Sequence, residues 1–572
     1  MTPGLAGLIA SGHDQRAWDD SVARALEALR AAFDVIPDRS GKPAASRRTW
    51  LDTFDWRLRR AGLTLEYAGR PRGGELLLTA DAARAASAPS AASAPGAANA
   101  ANPDLIAAIT QPVIGWQATR PHLMPELPDG PVASRIGDLV APRALLPVVT
   151  VTSTTTTHRL LNEDGKTVAR LLVERASVPG PQPTPLAPRL SITEVRGYPG
   201  AARTAARLLG TVPGIEPATT PTETEALRAV GRRPDDYSNK IDADITAVQP
   251  ASQAAATILL RLLDTIEANI AGVLADTDTE FLHDLRVSVR RTRSALKLFG
   301  DALTGRAGLT EGEAAFFAAE FKWVGDLTTP TRDLDVHLLD FDDTAHSLSA
   351  AKPDDLEPFR AYLEQRRRRE FRALTRGLKS ARFTDLTRDW RNRLTAIKDG
   401  NPGTRVARVR SGRERGAAGE SAGTLAMERT RAAFAKTVRR GAAITLESPA
   451  EALHDLRKRA KELRYALEFF APLHDRAAQS KVVGELKRLQ DCLGEFQDTE
   501  VQVGEIRALA TAMLAAGEAP AVTLLAMGEV TAGLALRQRA AREDFGRRFA
   551  AFAGIDGQRR ISALLRGSRG GS

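Results

Sequence analysis

A row of basic side chains repeats at helical spacing between residues 281 and 299. Its members follow one another at steps of three or four: His283, Arg286, Arg290, Arg293 and Lys297. Such spacing places side chains on one face of an α-helix, and the apolar residues between them supply a second face that can pack into a core. Cations at i and i+4 repel each other, so the row is either a solvated basic face or a site for an anion. For a single helix, the solvated face is the default interpretation.

The same helix occurs a second time, at residues 452–470. Aligned without gaps, both segments contain His-Asp-Leu-Arg, and both end in Phe. The matched basic pairs are His283 and His454, Arg286 and Arg457, Arg290 and Lys461, and Arg293 and Arg464. A second matched pair of segments follows, at residues 320–336 and 485–501. An internal duplication that keeps its cations indicates an anion site rather than two incidental basic faces. The second copy differs at Glu462, which stands where the first has Arg291.

These motifs resemble the CHAD domain, the conserved histidine α-helical domain. The resemblance is carried by His283 and the basic row behind it, with Arg-Asp-Leu-Asp-Val at residues 332–336, and it covers residues 249–555. It implies two similar helical halves around a basic groove that binds inorganic polyphosphate, and location on polyphosphate granules. The residues assigned to polyphosphate binding on this basis are His283, Arg286, Arg290, Arg291, Arg293, Lys297, Lys322, Arg332, His454, Arg457, Lys458, Lys461, Arg464, Lys487 and Arg488.

The first part of the chain has the pattern of an antiparallel β domain. Residues 148–159 are rich in Thr and Val, residues 162–165 form a turn sequence, and residues 167–174 alternate, which together predict a hairpin. The segment LDTFDWRLRRAGLTL at residues 51–65 resembles the CYTH domain, the triphosphate tunnel fold, which is a barrel of antiparallel strands. This resemblance covers residues 15–215.

The chain differs from active CYTH members in the N-terminal part of the domain. Those members open with a Glu-x-Glu-x-Lys strand, whose carboxylates hold the metal that bridges the triphosphate, and nothing before Leu51 has that pattern. Glu66 and Ala68 stand where a phosphate tunnel would have Arg or Lys. Since triphosphate cleavage needs Mg²⁺ held by carboxylates, we predict a degenerate domain without catalytic residues, metal or cofactor. An inorganic triphosphatase whose helical domain recruits substrate is the alternative.

The predicted fold is α+β in two domains: an N-terminal antiparallel β-barrel-like CYTH domain and a C-terminal all-α duplicated helical bundle. The predicted segments are a β domain at 15–215, a linker at 216–248, a first helical half at 249–398, a disordered link at 399–423 and a second helical half at 424–555. Within the first half, one helix is expected at residues 311–327 and a new one after Pro330.

Charge and composition limit the partners. The 572 residues include 80 Lys and Arg against 70 Asp and Glu, a net charge of +10, which favours an acidic partner. Aromatic residues make up 5% of the chain and no helix-turn-helix, zinc-finger or RNP motif is visible, so no specific nucleic acid is expected. A nucleic-acid-binding helical protein remains the third alternative. The single cysteine, Cys492, excludes an intramolecular disulfide and a thiolate metal cluster. Without a visible signal peptide or long apolar run, we expect a cytoplasmic protein with no membrane partner, and we predict no oligomeric state.

Several motif residues keep two interpretations. His283 and His454 could each contact phosphate as imidazolium, or satisfy a neighbouring helix end. Asp284 and Asp455 cannot bind an anion, and we expect them to pair with arginine, as we do Asp333 and Asp335. The four arginines at residues 366–369 form either an exposed helix face or a ligand contact.

Overall fold

The computed structural model describes residues 5–10, 15–38, 43–70, 73–80, 108–304, 308–400 and 420–567. The chain divides into two compact units, Met1–Ser238 and Asn239–Ser572. Most of the predicted disordered link at 399–423 lies outside the described residues. No helix in the described ranges combines the length and apolar character needed to cross a lipid bilayer.

One antiparallel sheet of eleven strands forms the described framework of the first unit. Its strands are β1 (Leu5–Ala10), β2 (Asp34–Pro37), β3 (Ala44–Asp52), β4 (Leu63–Arg70), β5 (Gly73–Ala80), β6 (Ile109–Val113), β7 (Leu146–Leu161), β8 (Thr167–Val178), β9 (Thr184–Pro185), β10 (Arg189–Glu194) and β11 (Ile215–Pro217). They pair in the order β11-β1-β10-β8-β7-β3-β4-β5-β6, with β2 beside β7 and β9 beside β8. The predicted hairpin is confirmed as β7 and β8.

Helices cover the sheet of the first unit. They are α1 (Gln15–Arg30), α2 (Arg57–Arg60), α3 (Pro131–Val140), α4 (Pro199–Leu209) and α5 (Thr222–Ala229). Trp18 and Leu29 of α1 pack with Leu171 of β8 in one core cluster. The segment predicted as a linker, residues 216–248, contains α5, whose Ala226 and Leu227 are fully buried in a cluster with Trp56. A helix of eight residues shows too little periodicity for this burial to be visible in the sequence.

The sheet is antiparallel as predicted, but its closure into a barrel is not found. Among the described residues, no pairing joins the edge strands β11 and β6. The edge strand β6 instead packs against α3, whose Val132, Ile136 and Val140 are fully buried in the cluster that contains Val113 of β6. Helix α3 therefore packs with residues of β4, β5 and β6 in one core cluster, at the end of the strand order that stays unpaired.

The second unit is built from helices, as predicted. They are α6 (Ala251–Leu274), α7 (Thr279–Phe299), α8 (Glu311–Leu339), α9 (Phe341–His346), α10 (Glu357–Leu378), α11 (Ala381–Lys398), α12 (Ala422–Ala442), α13 (Ala450–Phe469), α14 (Arg476–Ala515), α15 (Ala521–Ala553) and α16 (Ile555–Gly567). The trios α6–α8 and α12–α14 follow the same order, and the middle helix of each packs against both its neighbours. The duplicated sequence thus forms two similar three-helix groups with α7 and α13 at their centres.

Two helix boundaries differ from the prediction. Helix α8 continues through Pro330, although proline removes one backbone donor and usually breaks a helix. Buried side chains on both sides of that position, Val324 and Leu334, keep the helix on the core. Helix α16 was not predicted, and it buries Ile561 and Leu564 in the core of the second half. Its Gly- and Arg-rich sequence obscured that short apolar face.

Candidate functional site

The repeated helices α7 and α13 meet near their C-terminal ends. Phe299, the last residue of α7, packs edge-on against Phe470, with the ring centroids 5.6 Å apart. Its centroid lies 6.1 Å from that of Phe469, and all three rings are fully buried. The phenylalanines that end the two sequence repeats therefore join the two halves and orient the basic faces of α7 and α13 relative to each other.

A cleft of about 1000 Å³ lies where the two halves meet. Its basic lining residues come from both repeats and from two other segments: His283, Arg290 and Arg291 of α7, Arg457, Lys461 and Arg464 of α13, Lys240, and Arg476 of α14. Its carboxylates are Glu468, Asp491, Glu495 and Asp498. Among the described lining residues, seven Lys and Arg therefore face four carboxylates, so the cleft carries an excess of positive charge.

Lys461 is the cation whose chemistry the cleft changes most. Burial, together with the charges of Arg457, Arg290 and Arg464, lowers the pKa of its ammonium group to about 8. Arg290 belongs to the other half, so the low pKa reports cations that converge from both repeats. An amine held in this way favours any anion that enters, because the anion offsets both the burial and the repulsion.

Internal carboxylates hold some of the cleft arginines. Glu468 accepts a hydrogen bond from Nε of Arg464 at 2.6 Å and one from Nη2 of Arg291 at 3.1 Å, so it bridges the two halves. Arg457 donates to Asp498 at 2.9 Å. In the part of the chain that the structure describes, no ion pair involves Arg290, Lys461 or Arg476. These three cations are available to a ligand, whereas the paired arginines are held in fixed positions.

Comparison with known proteins assigns the helical unit. A family model described as the CHAD domain matches residues 257–507. These residues form a CHAD domain. The match confirms the resemblance drawn from His283 and the duplicated basic row. No curated protein matches the chain.

Solved structures similar to the chain include three from different organisms. The CHAD domain of the plant Ricinus communis is 25% identical, with 55% of this chain and 96% of that chain covered and a TM-score of 0.44. PptA from Streptomyces chartreusis is 17% identical, with 53% and 99% covered and a TM-score of 0.39. A Bacillus halodurans protein provisionally named an adenylate cyclase is 14% identical, with 39% and 97% covered and a TM-score of 0.25. At these TM-scores the assignment rests on the family match alone.

Two of the predicted binding residues of the CHAD domain make internal contacts instead of lining the cleft. Arg286 donates to Oγ1 of Thr329 and lies 3.9 Å from Asp333, and burial lowers the pKa of its guanidinium. Arg332 donates to the backbone carbonyl of Thr279 at 3.1 Å. Both contacts connect α7 with α8. This part of the basic row therefore faces the neighbouring helix and not the cleft.

Three other predicted residues line a second cavity of about 530 Å³ beside the CHAD cleft: Arg293, Lys297 and Lys322. The remaining four line neither cavity. Nδ1 of His454 contacts the side-chain oxygen of Gln497, and Lys458, Lys487 and Arg488 are exposed. Arg488 also pairs with Glu485 at 2.8 Å. Helical spacing alone could not separate these positions from the cleft.

The acidic motif residues and the four-arginine cluster mostly form ion pairs. Asp455 lies 3.4 Å from Arg459 and from Arg440, as expected. Buried Asp284 accepts a hydrogen bond from the side-chain amide of Asn239 at 2.9 Å. In the cluster at residues 366–369, Arg367 pairs with two carboxylates, those of Asp276 and Asp335. This arrangement favours a structural role for Arg367 over a ligand contact.

Sequence reasoning missed two cations of the CHAD cleft. Lys240 precedes α6, in a segment predicted as a linker. Arg476 begins α14, where the first repeat has Glu311 at the matched position, so the duplication does not reveal it. In the sequence, the only indication for Arg476 was its position at the start of the helix that follows the second basic helix.

The first unit has a cavity of its own, of about 670 Å³. Hydroxyl groups dominate its lining, including those of Ser46, Thr49 and Thr152, and it contains Arg47 and Arg175. Strand β1, the first that the structure describes, has the sequence LAGLIA and contains no carboxylate. Within the described ranges, no cluster of three or more His, Cys, Asp or Glu is placed to hold a metal ion.

Proposed function

We propose that the CHAD domain of this chain binds inorganic polyphosphate in the cleft lined by α7 and α13. The observation that carries the proposal is the position of Lys461, which is half-buried and has a pKa of about 8 beside Arg290, Arg457 and Arg464. Such a group of cations is unfavourable without an anion and favourable with one. Contributions from both repeats explain why the basic row is duplicated.

The chemistry of the cleft fits a polymer of phosphates. Arginine binds phosphate oxygens through two parallel hydrogen bonds, and a polyphosphate chain offers such oxygens at every unit. From Arg457 to Arg464, α13 rises by about 10 Å, so cations follow the path that an extended anionic chain would take. Tyr465 is the one aromatic side chain among the described residues that line the cleft. This lining favours a ligand without bases over single-stranded nucleic acid, which is bound by stacking.

Binding of this kind should release counterions and therefore weaken as salt rises. Removing two cations that contact phosphate should reduce both the affinity and its dependence on salt. We expect the Arg290→Gln, Lys461→Gln double variant to bind long-chain polyphosphate about a hundredfold more weakly, since each charge-assisted contact contributes about 1.5 kcal/mol or more. The slope of log K against log[salt] should become shallower by about 1.4, at about 0.7 for each lost contact.

The matched control is the Arg372→Gln, Arg376→Gln double variant. Both arginines are exposed on α10 and line neither cavity of the CHAD domain, so the change in net charge is the same. Fluorescence anisotropy of labelled polyphosphate across a salt series measures all three proteins. Equal weakening in both double variants would mean that binding follows net charge and not the cleft, and the proposal would be wrong.

Competition with DNA separates this function from nucleic-acid binding. Long-chain polyphosphate should displace labelled DNA from the full chain at a far lower phosphate concentration than DNA displaces labelled polyphosphate. The reverse order would favour a nucleic-acid-binding helical protein. If polyphosphate is the ligand, we also expect the chain to associate with polyphosphate granules, which fluorescence microscopy of a tagged chain can test.

For the first unit we propose a role without catalysis. Support comes from strand β1, which has no carboxylate, and from Arg59, which lies 3.2 Å from Asp235 and 3.8 Å from Glu223 and is therefore engaged internally. Incubation of the full chain with triphosphate and Mg²⁺ or Mn²⁺ tests this. Hydrolysis that Arg59→Ala abolishes would contradict the proposal and restore the triphosphatase alternative.

A further inference from the structure

The two repeats differ at one position that changes how the basic row is neutralised. Glu468 of α13 is matched in α7 by Lys297. In α13, Nε of Arg464 donates to Glu468 four residues later at 2.6 Å, which is a favourable i,i+4 pair. In α7, the matched residues Arg293 and Lys297 are both cations. The first repeat therefore has a repulsive pair where the second has an attractive one.

Neither cation of this pair has a carboxylate partner in the described part of the chain. Lys297 is exposed, whereas Arg293 is half-buried. The guanidinium of Arg293 lies against the backbone of α8, because a Cβ built on Gly325 would stand 3.2 Å from its Nη1. In the second repeat, Gln490 stands at the position that matches Gly325, and its side-chain oxygen accepts a hydrogen bond from Arg464 at 3.4 Å. Arg293 is thus held in place without the partners that its counterpart has.

Both cations line the second cavity, of about 530 Å³, and α8 adds Lys322 to it. Asp326 pairs with Lys322 at 2.6 Å. The cavity is also lined by Asp301 and Glu311, and neither forms an ion pair with Arg293 or Lys297 in the described residues. The lining of the cavity is mainly apolar, with Leu296, Leu303, Ala314 and Ala318 beside the charged groups. The cavity has room for a small molecule, and it contains a pair of cations whose repulsion an anion would relieve.

We propose that this second cavity is a separate site for a phosphate-type anion, bound by Arg293, Lys297 and Lys322. The anion takes the place that Glu468 occupies beside Arg464 in the second repeat. Its phosphate group has two possible sources, a short free phosphate compound or a further stretch of the polymer in the cleft. The second source rests on the proposed polyphosphate function. Arg290 and Arg293 are about 4.5 Å apart along α7, so a chain leaving the cleft can reach the cavity.

Isothermal titration calorimetry of the full chain with inorganic triphosphate tests the site. We expect two bound triphosphates per chain for the unchanged protein. Lys297→Glu recreates the Arg-Glu pair of the second repeat, so this variant should bind one. Lys379→Glu is the matched control, because Lys379 is exposed and lines neither cavity, and it should bind two. Circular dichroism checks that both variants keep their helices.

A stoichiometry and affinity that are the same in Lys297→Glu and Lys379→Glu would overturn the second site. The Arg290→Gln, Lys461→Gln variant separates this result from failure of the polyphosphate function. If the cleft binds as proposed, that variant keeps one triphosphate, which Lys297→Glu then removes. If the cleft variant loses nothing while Lys297→Glu still loses one site, the second site stands and the proposed cleft function falls.

Long-chain polyphosphate identifies the source of the phosphate group. Lys297→Glu should weaken polymer binding about tenfold if one chain spans cleft and cavity, since a charge-assisted contact is lost. Unchanged polymer affinity, together with the lost triphosphate, assigns the cavity to a separate short phosphate compound. Both results support an anion site in the cavity and differ only in what fills it.

Discussion

The helices α7 and α13 repeat one sequence but place its cations differently. Helix α13 directs three matched cations, Arg457, Lys461 and Arg464, into one cleft. Of the matched cations of α7, Arg290 lines the same cleft. Arg286 contacts α8, and Arg293 lines the second cavity. Duplication therefore kept the charges, while the neighbouring helices decided what each charge faces.

The internal carboxylates explain much of this difference. Both repeats keep an Arg-Asp pair at matched positions, with 2.9 Å between Arg457 and Asp498 and 3.9 Å between Arg286 and Asp333. Only the second repeat adds Glu468, which holds Arg464 and reaches across to Arg291 of the first. A paired arginine is positioned by the protein, whereas an unpaired one is left for a ligand.

The largest expected effect comes from removing the carboxylate that bridges the repeats. Glu468→Gln leaves Arg291 and Arg464 facing each other without a counter-charge, and the Glu468 side chain is only 19% exposed. We expect the free energy of unfolding to fall by about 2–3 kcal/mol, somewhat less than for a fully buried pair. Urea denaturation followed by circular dichroism measures it.

Glu462→Gln on the same helix is the control. This residue pairs with Arg459 at 3.0 Å, but its side chain is 44% exposed. Its loss should cost less than about 1 kcal/mol, as for other surface ion pairs. If the two variants lost equal stability, Glu468 would not be the link between the repeats.

The sequence predicted the duplicated helices well but not the destination of each cation. Helical spacing and the repeat located α7 and α13 because apolar periodicity and charge are local properties of the chain. Arg293 lines a different cavity from Arg290, and its guanidinium lies close to Gly325 of α8, where a Cβ would stand 3.2 Å from Nη1. That contact links residues far apart in sequence, and no periodicity contains it. The packing of α3 on β6 is likewise a tertiary contact that no local sequence pattern contains.

The second expected effect is on pH dependence, and it uses the matched pair Lys461 and Arg290. Because the pKa of Lys461 is about 8, its ammonium is largely charged at pH 7 and largely neutral at pH 9. Polyphosphate favours the charged form, so affinity should fall about tenfold from pH 7 to pH 9, with protons taken up on binding near pH 8. Lys461→Arg copies the first repeat and should remove this dependence. An unchanged pH profile in that variant would assign the titration to another group.

Stability should show the opposite trend in the free protein. The pKa of Lys461 is lower in the folded chain than its ordinary value of 10.5, so the unfolded chain binds more protons between pH 8 and 10.5. The contribution of this residue to stability therefore rises with pH in that interval and is unfavourable below it. At neutral pH, the charged Lys461 therefore lowers the free energy of unfolding of the free protein, and a bound anion should offset this loss.

The smallest expected effect comes from releasing one arginine of the matched Arg-Asp pairs. Asp498→Asn should free Arg457 for phosphate and strengthen polyphosphate binding about threefold, because Arg457 already lines the cleft. The matched change Asp333→Asn frees Arg286, which makes its contacts outside the cleft, and should leave affinity unchanged. Anisotropy titrations at one salt concentration compare them. Equal gains in both variants would show that reduced negative charge, and not the cleft, sets affinity.

Reactivity of Lys461 toward an amine acetylating reagent is the most direct measurement of where the polymer binds. At pH 8 the free amine is abundant, so mass spectrometry should find Lys461 acetylated in the free full chain and protected when long-chain polyphosphate is added. Exposed Lys379, which lines neither cavity, should react equally in both samples. Unchanged acetylation of Lys461 in the presence of saturating polyphosphate would contradict binding in the shared cleft.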